Sequence, residues 1–118
     1  GVISIFENKF KNNDIPNIYG DGEQYRDFIY VKDVALANIK AMNIQNISGE
    51  VFCVGTGIKT SINDLFDLLN KKYDKSFKQN YLDVRVADIK ESVCDNSKIK
   101  KVLRLENFTK FKDGILKL

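Results

Sequence analysis

Apolar positions recur at helical spacing from the first turns of the chain. Ile3, Phe6 and Phe10 share one face, and the spacing predicts a helix over Val2–Lys11, closed by Asn12, Asn13, Asp14 and the only proline, Pro16. A short strand, Asn17–Tyr19, then meets the turn Gly20-Asp21-Gly22. Residues 28–31 and 51–54 are continuous apolar runs, which predict two strands covered on both faces. Between them Asp33 is expected to cap a helix that turns Val34, Ala35, Ile39 and Met42 inward. Ser61 with Asp64 three residues on has the form of a capping box, opening a helix with Ile62, Leu65, Phe66, Leu69 and Tyr73 on its inner face. A less regular stretch, 81–93, carries Arg85, Asp88 and Ser92; Asp95 is expected to cap a short helix packed through Ile99, Val102 and Leu103. A last helix is expected from Asn107, facing inward with Phe108, Phe111, Ile115 and Leu118. Short strands alternating with about five helices give an α/β reading, a small mixed α+β domain over residues 1–118. Helical spacing from Ile3 onward in a chain that opens on Gly1 leads us to expect a fragment of a longer protein.

Composition narrows the classes. Apolar residues at 43% and charged residues at 30% are ordinary globular values, so collagen, coiled-coil and disordered readings fall away. The charge of +3 is spread over 19 basic and 16 acidic residues without long like-charge blocks, which gives no reason to expect nucleic acid as a partner. No apolar run approaches the roughly 20 residues a membrane helix needs, and the expected location is the cytoplasm. Cys53 and Cys94 lie far apart in sequence with no histidine to complete a zinc site, so both are expected as buried free thiols and no metal is expected. With no histidine in the chain, Ser-His and Cys-His nucleophilic schemes lack their base.

The remaining candidates are few. Gly55-Thr56-Gly57 between a strand and a helix invites a dinucleotide-loop reading, but Thr60 stands where a third glycine belongs, and a plain turn explains the pair. Only three of the 19 basic residues are arginine. A guanidinium beside an apolar strand offers a planar fork for phosphate or carboxylate, which marks Arg26 and Arg85; an ion pair of Arg26 with Asp27 or another carboxylate is the alternative. Asp27, Asp33 and Asp88 are more simply caps and turns than acid–base catalysts. No tyrosine has a lysine four positions on, so the proton-carrying pair of short-chain dehydrogenases is absent, and no catalytic residue is assigned.

The runs Gly1-Val2-Ile3-Ser4-Ile5-Phe6, Ile18-Tyr19-Gly20-Asp21-Gly22, Gln24-x-Arg26-Asp27-Phe28-x-Tyr30-Val31-x-Asp33-Val34, Val54-Gly55-Thr56-Gly57 and Arg85-x-x-Asp88-Ile89-x-x-Ser92 resemble the C-terminal part of extended short-chain dehydrogenase/reductases. Within that family they are most similar to bacterial UDP-glucose and UDP-N-acetylglucosamine 4-epimerases. The resemblance implies a substrate-binding domain whose Rossmann half, with NAD and the catalytic residues, lies outside this sequence. It implies that Asn17, Ile18 and Tyr19 read the pyrimidine, Arg26 and Arg85 grip the diphosphate, Asp88 lies near the ribose, and Ser92 leaves room for an N-acetyl group. It further implies a UDP-sugar substrate, a homodimer in the full-length form, no cofactor bound by this part alone, and no epimerase activity without the other half. Ala87 stands where the family usually has glycine. A sugar-nucleotide dehydratase or reductase, or a stand-alone nucleotide-binding module, are the alternatives.

Overall fold

The computed structural model describes all of residues 1–118. The elements run α1 (Val2–Lys11), β1 (Asn17–Tyr19), β2 (Tyr25–Arg26), α2 (Val31–Asn43), β3 (Thr60–Ser61), α3 (Ile62–Lys72), β4 (Asn80–Leu82), β5 (Glu91–Ser92), α4 (Ser97–Leu103) and α5 (Phe111–Leu116). It is a mixed α/β chain with five helices. It divides into two compact units: the first comprises Gly1–Arg26 and Thr60–Ser92, the second Asp27–Lys59 and Val93–Leu118.

In the first unit α1 and α3 pack through the residues that their apolar stripes single out. Phe6 and Phe10 meet Phe66 edge-on at centroid distances of 6.3 and 5.3 Å, and Phe10 also stacks on Tyr73. Leu65, Phe66 and Leu69 are fully buried. Burying a side chain of this size contributes about 1.5–3 kcal/mol, so this aromatic cluster dominates the unit's stability. The capping box holds α3 at its start: the Ser61 hydroxyl accepts from the Asp64 amide at 2.9 Å, while the Asp64 carboxylate accepts from the Ser61 amide at 3.0 Å. Across the pair of helices, Lys72 and the Tyr73 hydroxyl both donate to Glu7. Burial, and then the adjacent carboxylate, push the Tyr73 phenol up to about 12.

Two small sheets complete this unit. β1 and β4 run parallel, Ile18 opposite Tyr81; β2 lies between antiparallel β3 and parallel β5, with Arg26 opposite both Thr60 and Ser92. These ladders are short, so side chains do much of the fastening. Asn63 donates to the Asp21 carbonyl and to Glu23, and its amide lies so close beneath Gly22 that a Cβ there would fall 2.0 Å from Asn63 Oδ1. Gly22 also has φ of +75°, a left-handed geometry that glycine adopts without steric penalty.

The second unit is built on α2, α4 and α5. Ala37, Ile99, Leu103 and Leu105 form its core, flanked by Ala41, Phe52, Val54 and Phe108. The Lys40 ammonium donates to the carbonyls of Leu103 and Arg104, satisfying acceptors at the end of α4.

Several expectations change here. Residues 28–31 form no strand: the ladder covers only Tyr25 and Arg26, and Val31 already opens α2. The chain offers this run no partner strand. Its anchors are instead side chains, with Phe28 stacked on Phe111 at 5.1 Å and the Asp27 carboxylate accepting the amides of Thr56, Gly57 and Cys94. Residues 51–54 likewise join no ladder. Asp33 is not the cap of α2 but a buried residue of its first turn, receiving the amide and hydroxyl of Thr109. That bond fixes the helix phase on Asp33, Ala37 and Ala41, leaving Ala35, Ile39 and Met42 exposed. Asn96, rather than Asp95, is the N-cap of α4; the Asp95 carboxylate accepts from the Ser97 amide. The last helix begins at Phe111 instead of Asn107, and Leu118 is exposed. Both thiols are free, but Cys53 is exposed and Cys94 half-buried, not buried as expected. No helix is long and apolar enough to cross a membrane.

Candidate functional site

The first unit carries a cleft of about 220 Å³ between β1, the end of β2 and the segment after β4. Its walls include Asn17, Ile18, Tyr19, Arg26, Arg85 and Asp88, residues up to 71 positions apart. Six of the seven residues singled out in the sequence are thus brought to one place. Ser92 does not line the cleft; it is exposed on β5, opposite Arg26 in the ladder.

Each side chain is placed by a local cause. Asn17–Tyr19 is extended because β4 pairs with it in parallel register, and the Asn80 amide adds a side-chain bond to Asn17 at 2.7 Å. Ile18 is buried and pins the strand to the unit's core, while Tyr19 remains half-exposed at the cleft. The Arg26 guanidinium is held on three sides. Nη1 donates to the carbonyls of Tyr25 and Ile89 at 2.8 and 2.6 Å, and Nη2 donates to Asp88 Oδ1 at 3.0 Å. Both partners of this ion pair are about three-quarters shielded, so it is screened less than a surface pair. Of five guanidinium N–H donors, Nε–H and one Nη2–H are left for a ligand.

Arg85 lies over Tyr19, its guanidinium carbon 3.6 Å from the ring centroid. This cation–π contact covers one face of the Tyr19 ring. Asp88 follows Ala87, whose φ is +65°, so the departure from glycine noted in the sequence falls at a left-handed position. The segment 81–92 is exposed throughout.

Sequence reasoning left out four wall residues: Val2 and Phe6 from α1, Gln24, and Ile62 from the start of α3. Gln24 was visible, standing two before Arg26; its amide donates to the Tyr19 carbonyl at 2.9 Å and so fixes the strand end. The apolar three carry no chemical signal that separates a cleft wall from a core position. Gly55-Thr56-Gly57 belongs to the second unit, and its amides serve Asp27. Burial raises the Asp27 carboxyl, but the bonds from the Thr56 hydroxyl and from the Thr56, Gly57 and Cys94 amides outweigh it and hold it below its ordinary value. Nowhere do three or more acidic or cysteine side chains converge as metal ligands would.

Residues 1–55 match the NAD dependent epimerase/dehydratase family. A putative UDP-glucose 4-epimerase of Methanocaldococcus jannaschii is 44% identical over 100 residues, covering 75% of this chain and 32% of that protein. The crystal structure of UDP-glucose 4-epimerase from Thermotoga maritima with UDP-glucose superposes with a TM-score of 0.90 at 35% identity, over 98% of this chain and 37% of that one. UDP-N-acetylglucosamine 4-epimerase from Methanobrevibacter ruminantium, in complex with UDP-N-acetylmuramic acid, gives 0.87 at 36% identity over the same shares. The chain therefore spans about a third of the length of the proteins it matches. By shared sequence and by near-complete structural correspondence, it belongs to the NAD dependent epimerase/dehydratase family.

Proposed function

We propose that this chain is the nucleotide-holding, C-terminal part of an NAD-dependent UDP-sugar 4-epimerase. One observation carries the reading: Asn17, Ile18, Tyr19, Arg26, Arg85 and Asp88 converge on one cleft, which joins two guanidinium groups, a half-exposed aromatic ring and an extended backbone edge. That set suits a nucleoside diphosphate. The backbone of β1 reads the pyrimidine edge, and Tyr19 packs on the base once Arg85 moves from its ring to the diphosphate. Arg26 offers Nε–H and Nη2–H to the phosphate oxygens, where charge-assisted bonds are strongest. Asp88 stands on the ribose side. Ser92, exposed on β5 outside the cleft, carries no part of this reading.

NAD belongs to the remainder of the enzyme in this reading. Held there, it would supply reversible hydride transfer at the sugar C4 carbon, with the C4 hydroxyl proton passing to a base outside this chain. This chain supplies orientation of the substrate, and by itself does not epimerise.

A titration with UDP followed by amide NMR tests the proposal. Shifts concentrated at residues 17–19, 26 and 85–88, and an apparent affinity reduced about tenfold by Arg26→Ala, are expected, since a hydrogen bond to a charged group contributes about 1.5–3 kcal/mol. No shift at millimolar UDP, or shifts unaltered by Arg26→Ala, overturns it.

A further inference from the structure

The second unit holds both cysteines of the chain, one in each of its two segments and 41 positions apart in sequence. We infer that Cys53 and Cys94 form a redox-modification site, a thiol pair that hydrogen peroxide converts into a reversible disulfide tying the run 51–55 to the segment 93–96.

Three observations bring the two sulfurs to one place. Burial alternates along the run, with Phe52 and Val54 packed on the unit's core while Val51 and Cys53 are exposed. Alternation of this kind belongs to extended backbone, where residues two apart share a face, so Cys53 and Gly55 look the same way. Gly55 is nevertheless buried, because Cys94 covers it: a Cβ on Gly55 would collide with Cys94 Cβ and lie 3.0 Å from its Sγ. The Cys94 side chain therefore fills the space next to Cys53 on the face they share. The segments are tied on either side of that point, since the Asn96 amide donates to the Gly55 carbonyl at 3.0 Å and Lys98 Nζ to the Val51 carbonyl at 2.8 Å.

The two thiols have different parts. Burial, then the charge of the neighbouring Cys53, push the Cys94 thiol above its ordinary value, and a side-chain hydrogen bond with Cys53 adds to this. Cys53, the exposed one, is the sulfur that meets the oxidant first. Its thiolate attacks the peroxide O–O bond, which breaks to leave a sulfenic acid on Cys53 and release hydroxide. The Cys94 sulfur, already alongside, attacks the sulfenic sulfur; the S–O bond breaks, the S–S bond forms, and the departing hydroxide leaves as water. Two thiols thereby give up two electrons and two protons, and one hydrogen peroxide is reduced to two waters. Thiol exchange with an external dithiol reverses the change.

Hydrogen peroxide added to the folded chain in the presence of dimedone, which captures sulfenic acids, tests the pairing by mass spectrometry. The expected product is a single chain lighter by two hydrogens, with a peptide cross-linked between Cys53 and Cys94 and full return to the dithiol on adding dithiothreitol. The ratio of disulfide to dimedone adduct is expected to be at least about tenfold higher for the folded chain than in urea, where the sulfurs must first close the intervening loop. Cys94→Ser should turn the product into a dimedone adduct on Cys53, and Cys53→Ser should leave Cys94 a thiol over the same period. Dimedone capture or over-oxidation of wild-type Cys53 with Cys94 untouched, a disulfide joining two chains, or an equal ratio with and without urea overturns the inference. The wild-type products decide it by themselves should either variant fail to fold, which circular dichroism checks.

Discussion

Ala87 holds φ of +65° in an exposed segment, a conformation that costs an L-residue about 1–2 kcal/mol because Cβ crowds the following carbonyl. Glycine there removes the crowding but adds freedom to the unfolded chain, an offset of about 0.4–1 kcal/mol. Ala87→Gly is accordingly expected to stabilise the chain by about 0.5 kcal/mol, read as a higher urea midpoint at unchanged slope. The departure was legible in the sequence, because alanine in place of an expected glycine is a single-residue fact. What surrounds it was not. That Asp88 turns to Arg26, or that Arg85 lies on Tyr19, depends on a fold that brings residues 62 and 66 positions apart together.

At the scale of elements, the capping box of α3 was read correctly, while the caps of α2 and α4 and two apolar runs expected as strands were not. The capping box of α3 lies within four consecutive residues, and the structure forms both of its bonds. Ser61→Ala removes the acceptor for the Asp64 amide and is expected to cost about 1 kcal/mol, seen as a lower urea midpoint. The two apolar runs expected as strands fared otherwise. A run of β-branched and aromatic residues fits a pleated surface but does not show that another strand lies beside it, and here Val31 and Val51 are exposed. Residues 28–31 end as a link into α2, held by Asp27 and Phe28. In α2, a cap and an anchor to a distant loop look alike in sequence, since both want a carboxylate near a helix start. Thr109 decides between them, and it lies 76 residues away.

At the scale of the molecule, each unit has its own core and its own carboxylate held below its ordinary value. In the first, burial raises Glu7 while bonds from Lys72, Tyr73 and Lys11 more than reverse it; in the second, Asp27 is lowered by its four donors against the same opposing effect. A carboxyl depressed on folding contributes stability that is present above its unfolded value, 4.5 for Glu7 and 3.8 for Asp27, and lost as pH falls through the folded value. Stability should therefore fall steeply below about pH 4.5. The Glu7→Gln/Asp27→Asn pair should be weaker at pH 7 yet flatter in acid, measured by urea midpoints from pH 3 to 7.

The first unit is discontinuous in sequence: its chain leaves after Arg26 and returns at Thr60. On the ribosome, translation at about 5–20 residues per second separates the synthesis of Arg26 from that of Asp88 by roughly 3–12 s. Throughout that interval the nascent guanidinium has no carboxylate clasp, and neither the fork nor the cleft around it exists until the 81–92 segment emerges.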